Sequence, residues 1–146
     1  MYEIARAHNN LGDTYLRLKD WDNSLKEFEK CKEFAMKGGW MNMKAWAEFN
    51  SSEALIELGK FDLAKKNLDD SLNVLNKIGD RVGIGGIYQN YGRLYATKKD
   101  WAKSLEYYGK AIMVLTEINH PISLASAYEE LGNVLKSKGD REAAKT

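Results

Sequence analysis

One cysteine, one proline and two histidines in 146 residues leave this sequence short of several kinds of chemistry. The lone Cys31 cannot close an internal disulfide, and His8 and His120 lie too far apart in sequence to suggest a metal-ligand cluster. No metal or cofactor is expected. No apolar run approaches the ~20 residues of a membrane-spanning helix, and Met1–Arg6 enters an amphipathic pattern directly, without the apolar stretch of a secretion signal. The charges also lack a sign: 22 Lys and Arg stand against 21 Asp and Glu, which gives no footprint for nucleic acid or an anionic membrane. A reducing, cytoplasmic setting fits this composition best. β-branched residues are sparse, Ala, Leu, Lys and Glu are abundant, and proline interrupts only at Pro121. The expectation is an all-α chain.

What the sequence does have is a period. Asn10-Leu11-Gly12, Asn50-Ser51-Ser52, Asn90-Tyr91-Gly92 and Glu130-Leu131-Gly132 stand forty residues apart. Three residues beyond each small residue come Tyr15, Leu55, Tyr95 and Leu135, and nine beyond come Trp21, Phe61 and Trp101. The columns continue through Ser24, Ala64 and Ser104, then Phe28, Leu68 and Tyr108, then Cys31, Ser71 and Ala111. So many columns in register mark an internal repeat.

Within each unit the apolar spacing is helical, as in Leu11, Tyr15 and Leu18. Breaks fall at Lys19-Asp20, Gly59-Lys60, Lys99-Asp100 and Gly139-Asp140 inside units, and at Gly38-Gly39, Gly79-Asp80 and Asn119-His120-Pro121 between them. Glycine suits the end of a first helix, and Asp20, Asp100 and Asp140 suit the cap of a second; Lys60 departs from that pattern. These signals predict helices over 2–18, 21–37, 41–58, 61–78, 82–98, 101–118 and 121–138, with an eighth beginning at Arg141. The small residues Gly12, Ser52, Gly92 and Gly132 predict close approach of the following helix. Gly in a helix costs about 1 kcal/mol relative to Ala, so its recurrence at one register calls for a packing reason. The aromatics Trp21, Phe61 and Trp101 are expected to fill gaps between neighbouring units.

This small-and-large pattern resembles the tetratricopeptide repeat family over essentially the whole chain. At forty residues rather than the usual 34, the unit is similar to the longer repeats of kinesin light chains and of mitotic-spindle adaptors with Leu-Gly-Asn repeats. Ser51-Ser52 departs from the usual Leu-Gly pair, and Arg141 stands where an aromatic is usual. The resemblance implies a right-handed superhelical solenoid of antiparallel helix pairs. It would form a single domain over 1–146 with about three and a half repeats (2–40, 41–80, 81–120 and a truncated 121–146).

The resemblance also implies a function: binding an extended peptide or partner protein in the concave groove lined by first helices. The positions expected to face that groove are Arg6, Asn9, Asn10, Asp13 and Arg17; Trp46, Phe49, Asn50, Glu53 and Glu57; Gln89, Asn90, Arg93 and Thr97; and Glu129, Glu130, Asn133 and Lys136. Asn10, Asn50 and Asn90 form the sharpest pattern. Each amide carries a donor and an acceptor for an extended backbone, as the ladder of asparagines does in the long-repeat relatives. The competing reading is that duplication repeated these residues and the fold satisfies them internally. Trp46 and Phe49 offer either an apolar anchor or packing against the Gly38-Gly39-Trp40 linker. Gly83, Gly85 and Gly86 either admit close approach of a chain or loosen their helix, and loosening is favoured. A carboxylate clamp of the chaperone-adaptor kind is disfavoured: Asn50 fits it, but Asp13 stands where an Asn is wanted, and Gly86 and Asn90 where the basic pair belongs.

An enzyme is not expected. Cys31 sits on a core column, and Gly83-Ile84-Gly85-Gly86 follows no strand and so is no phosphate or dinucleotide loop. The alternative function is self-assembly, or an intramolecular regulatory role in a larger protein. With no full eighth helix, Leu124, Tyr128, Leu131 and Leu135 would be partly uncovered, and a homodimer through this C-terminal end would cover them.

Overall fold

A computed structural model describes residues 1–145. Among these the chain forms seven helices and no strand: α1 (Tyr2–Arg17), α2 (Trp21–Gly38), α3 (Met41–Glu57), α4 (Phe61–Ile78), α5 (Arg81–Thr97), α6 (Trp101–Glu117) and α7 (Pro121–Lys145). Six of the seven end within about two residues of where the sequence pattern ends them. The helices group into two compact units, Met1–Gly79 with α1–α4 and a second from Asp80 onward with α5–α7.

Local chemistry sets most of the boundaries. Asp20, Asp80 and Asp100 each accept a hydrogen bond from the backbone N–H three residues on, satisfying a donor that the helix itself leaves orphaned. Each such cap contributes about 1 kcal/mol. Lys60 caps α4 with no side-chain bond, as its sequence position foretells. At the far ends of α2 and α4 the backbone turns left-handed at Gly39 (φ 74°) and Gly79 (φ 72°), a conformation that a Cβ would strain. The expected break at Gly139-Asp140 is absent. α7 runs through both residues, so Asp140 caps nothing and Arg141 continues α7 instead of beginning an eighth helix.

The α1–α2 and α5–α6 hairpins are closed by one device. An ideal Cβ on Gly12 would stand 2.7 Å from the ring of Phe28, and one on Gly92 2.8 Å from the ring of Tyr108. Phe28 and Tyr108 are both buried, so a side chain at either glycine would have to displace a packed ring. Across the same contact Ser24 Oγ donates to the Gly12 carbonyl (2.9 Å) and Ser104 Oγ to the Gly92 carbonyl (2.8 Å). The α3–α4 pair changes all three members together. Ser52 replaces glycine and donates to Phe49 O of its own helix, Ala64 lacks the hydroxyl, and the smaller Leu68 replaces the ring. Gly132 has open space where its Cβ would be, with no atom of another described residue packed on it within 4 Å. Gly85 corrects the expectation of a loosened helix: its missing Cβ admits Leu115 of α6 at 2.7 Å, and α5 is continuous.

In the first unit α2 also packs on α3, and α1 touches α3. Ala5, Cys31, Ala35, Met43 and Ala47 form a small-residue core there, sealed by Phe34 and Trp40. Trp40 meets Tyr2 edge to face at 5.1 Å, so the linker aromatic is used at the start of α1. In the second unit α7 packs on α6 and touches α5. Trp21, Phe61 and Trp101 are half-buried at the first position of α2, α4 and α6.

Candidate functional site

In the first unit the candidate residues form two stripes. Arg6, Asn10, Asp13 and Arg17 follow one another at steps of four, three and four, which places them on one side of α1. Arg6, Asn10 and Arg17 are exposed and Asp13 half-buried; Arg17 pairs with Asp13 at 2.8 Å. On α3, Trp46, Phe49, Asn50 and Glu53 are all half-buried. Trp46 and Phe49 pack edge to face with centroids 5.4 Å apart. The stripes are joined by Asn50 Nδ2 donating to Asn9 Oδ1 at 3.3 Å. This unit therefore brings together an exposed amide, charges of both signs, a partly covered aromatic pair and a bridging amide.

The second unit places its candidates differently. Gln89 and Asn90 are buried on α5 and Arg93 is half-buried. Gln89 Nε2 donates to Ser126 Oγ (3.0 Å) and to Glu130 Oε2 (2.8 Å), both on α7. Arg93 donates to Asn90 Oδ1 at 2.7 Å and forms an ion pair with Glu130. Asn133 is exposed on α7, apart from this network. Ser126 was not a candidate in the sequence. The available signal was its place four residues before Glu130, opposite the equally spaced Gln89 and Arg93.

Groups that carry chemistry in enzymes are here built into the packing. His8 Nδ1 lies 2.7 Å from Glu27 Oε2, and its ring stacks on Phe34 at 5.7 Å. The hydrogen bond from His8 holds the Glu27 carboxyl below its usual range, against the opposing effect of burial, with Lys30 at 3.4 Å assisting. Burial pushes the Cys31 thiol up to about 11, so it stays protonated and acts as a small apolar group. In the second unit Tyr107 stacks against Tyr91 (4.8 Å) and Tyr95 (5.6 Å), with Lys103 over Tyr95 and Lys110 over Tyr107. Among the described residues no group of three His, Cys, Asp or Glu side chains is placed to hold a metal ion, and no helix is long and apolar enough to cross a membrane.

Comparison with known proteins finds matches to the tetratricopeptide repeat at residues 5–35 and 85–114. The 43 kDa receptor-associated protein of the synapse from Tetronarce californica is 25% identical over 126 residues, covering 83% of this chain and 30% of that protein. Among solved structures, a Rap protein complexed with competence and sporulation factor superposes with a TM-score of 0.89 at 17% identity, over 98% of this chain and 40% of that one. The TPR2AB domain of yeast Sti1 in complex with pHSP90 gives 0.73 at 20% identity, over 98% and 50%. The chain thus spans half or less of the length of each of these proteins, and at these identities the structural likeness concerns the fold.

Proposed function

We propose that this chain, which matches the tetratricopeptide repeat in both of its units, is a protein-interaction scaffold whose first unit holds an extended peptide against α1 and α3. The observation that carries the reading is the pairing, within one unit, of the exposed Asn10 and Arg6 with the half-buried Trp46, Phe49 and Asn50. An asparagine amide matches both the C=O and the N–H of an extended strand. Trp46 and Phe49 supply apolar area of the kind that dominates interface energies. Arg6, Asp13, Arg17 and Glu53 place both charge signs beside them and would select register. Gln89, Asn90 and Arg93 support the α5–α7 contact in this reading, and Asn133 is a peripheral polar contact. Solved structures of like fold that hold competence and sporulation factor or pHSP90 support this reading.

The test is a peptide-display selection run in parallel on the intact chain and on an Asn10→Ala/Asn50→Ala variant. Peptides enriched by the intact chain alone support the face and yield a motif; identical selections refute it.

A second reading has its own observation. On α7, Ile122 is 81% exposed, Tyr128 54% and Leu135 51%, while Leu124 and Leu131 are half-buried. We propose a homodimer through this helix as the alternative assembly. Light scattering at rising concentration tests it, and a constant monomer mass excludes it.

A further inference from the structure

The first unit contains a cavity that none of the peptide-face residues line. It has a volume of about 180 Å³, with Leu25 and Phe28 of α2, Leu55 of α3 and Leu63 of α4 as its apolar walls. Ser51 and Asn67 supply its polar side. Lys32 and Glu29, paired at 3.7 Å, and the exposed Lys60 complete it toward solvent.

The repeat explains why the space exists. Ser51, Leu55 and Asn67 stand forty residues before Tyr91, Tyr95 and Tyr107. In the α5–α6 hairpin those three columns hold three stacked phenol rings. In the α3–α4 hairpin two of the rings are replaced by a hydroxyl and an amide, which meet through Asn67 Nδ2 donating to Ser51 Oγ at 3.1 Å. Ser51 in turn donates to Glu48 O at 2.9 Å. Asn67 is only 6% exposed, and this is its one side-chain bond among the described residues. Its carbonyl oxygen and second N–H are left for a guest.

We propose that this cavity is a binding site for one phenol ring, the tyrosine side chain of a partner polypeptide. An apolar cavity of about 150 Å³ holds one benzene molecule, so this volume has room for a single ring with a hydroxyl. The walls take the ring face, and Asn67 takes the hydroxyl. A lone ring offers few atoms, so binding through this site alone is weak, with a Kd on the order of 1 mM. A useful ligand therefore carries the ring on a longer chain, and the solvent-facing side at Lys32 and Lys60 lets that chain leave. The site is independent of the α1–α3 peptide face.

The test follows backbone amide shifts of the full chain by NMR during titration with 4-methylphenol, toluene and N-acetyl-tyrosinamide. Saturable shifts are expected at Ser51, Leu55, Leu63 and Asn67, with toluene about fivefold weaker for want of the hydroxyl. N-acetyl-tyrosinamide binds at least as well as 4-methylphenol. Asn67→Tyr, which fills the cavity with the chain's own ring, weakens 4-methylphenol at least tenfold. Should that variant fail to fold, Leu63→Trp at the half-open wall gives the same decision. Asn10→Ala/Asn50→Ala leaves the phenol affinity unchanged, which separates this site from the peptide face. Shifts that do not saturate or that map elsewhere, equal binding of toluene, tenfold weaker binding of N-acetyl-tyrosinamide, or undiminished binding by a folded filled variant would each overturn the proposal.

Discussion

The same bridge is built twice, once in each unit, from different chemistry. In the first unit Asn50 reaches back 41 residues to Asn9; in the second Glu130 meets Gln89 over the same separation. Asn10, Asn50, Asn90 and Glu130 occupy one column of the repeat, so the fourth member exchanges an amide for a carboxylate. That carboxylate also takes Arg93, whose counterpart in the first repeat is Asp13, paired along its own helix to Arg17. A neutral hydrogen bond contributes about 0.5–1.5 kcal/mol and one to a charged group about 1.5–3. A ligand can therefore displace the Asn50–Asn9 bond at small cost, whereas the Gln89–Arg93–Glu130 network resists displacement. Position in the repeat sets where a polar group stands. The facing helix sets whether a partner can use it.

The largest expected effect tests what the units share. Gly12→Val and Gly92→Val each drive a side chain into a buried ring and should lower stability by about 2–3 kcal/mol in urea unfolding. Unequal losses would show that the two hairpins are not packed alike. Gly132→Ala, with open space around it, should instead add up to about 1 kcal/mol.

Next in size, Glu130→Asn gives the second unit the amide of the first. Stability should fall by about 1–2 kcal/mol, with faster hydrogen exchange confined to α5–α7. Exchange that accelerates equally in α1–α4 would break the comparison. Asn10→Ala/Asn50→Ala should weaken a selected peptide at least tenfold while changing stability by less than about 1 kcal/mol. Asn90→Ala should do the reverse, because Asn90 is 7% exposed and accepts from Arg93.

The smallest effect is a pH dependence owed to Glu27. Its carboxyl is held below its ordinary value by His8 in the folded chain, so its contribution is complete above the unfolded carboxyl's range near 4.5. The contribution is lost as pH falls through the lower folded value. Glu27→Gln should flatten the stability curve below about pH 5, measured by thermal unfolding from pH 6 to 3. An unchanged slope would remove this pair from the comparison.

Much of this architecture was legible in the residues. Helical spacing, the caps Asp20 and Asp100 and the column of small residues opposite large ones all act between near neighbours or through a fixed period. Three things were not legible. The break expected at Gly139-Asp140 rested on a glycine whose cost within a helix is only about 1 kcal/mol, less than an unpacked turn would forfeit in hydrogen bonds. Gly85 gave the signal of a loose helix, and only Leu115, thirty residues on, makes it a close contact. The asparagine column looked uniform, yet Asn10 is exposed, Asn50 half-buried and Asn90 buried.

The sequence by itself determined the helices, their number through α7 and the pairing of hairpins, because periodicity and side-chain size act at short range and repeat every forty residues. Tertiary structure alone decided which polar side chains are consumed and which remain open. It also decided that Ser51 and Asn67 line a cavity where, forty residues on, Tyr91 and Tyr107 stack ring on ring. Those outcomes depend on what a facing helix brings within a few ångströms, and a column of aligned letters carries no distances.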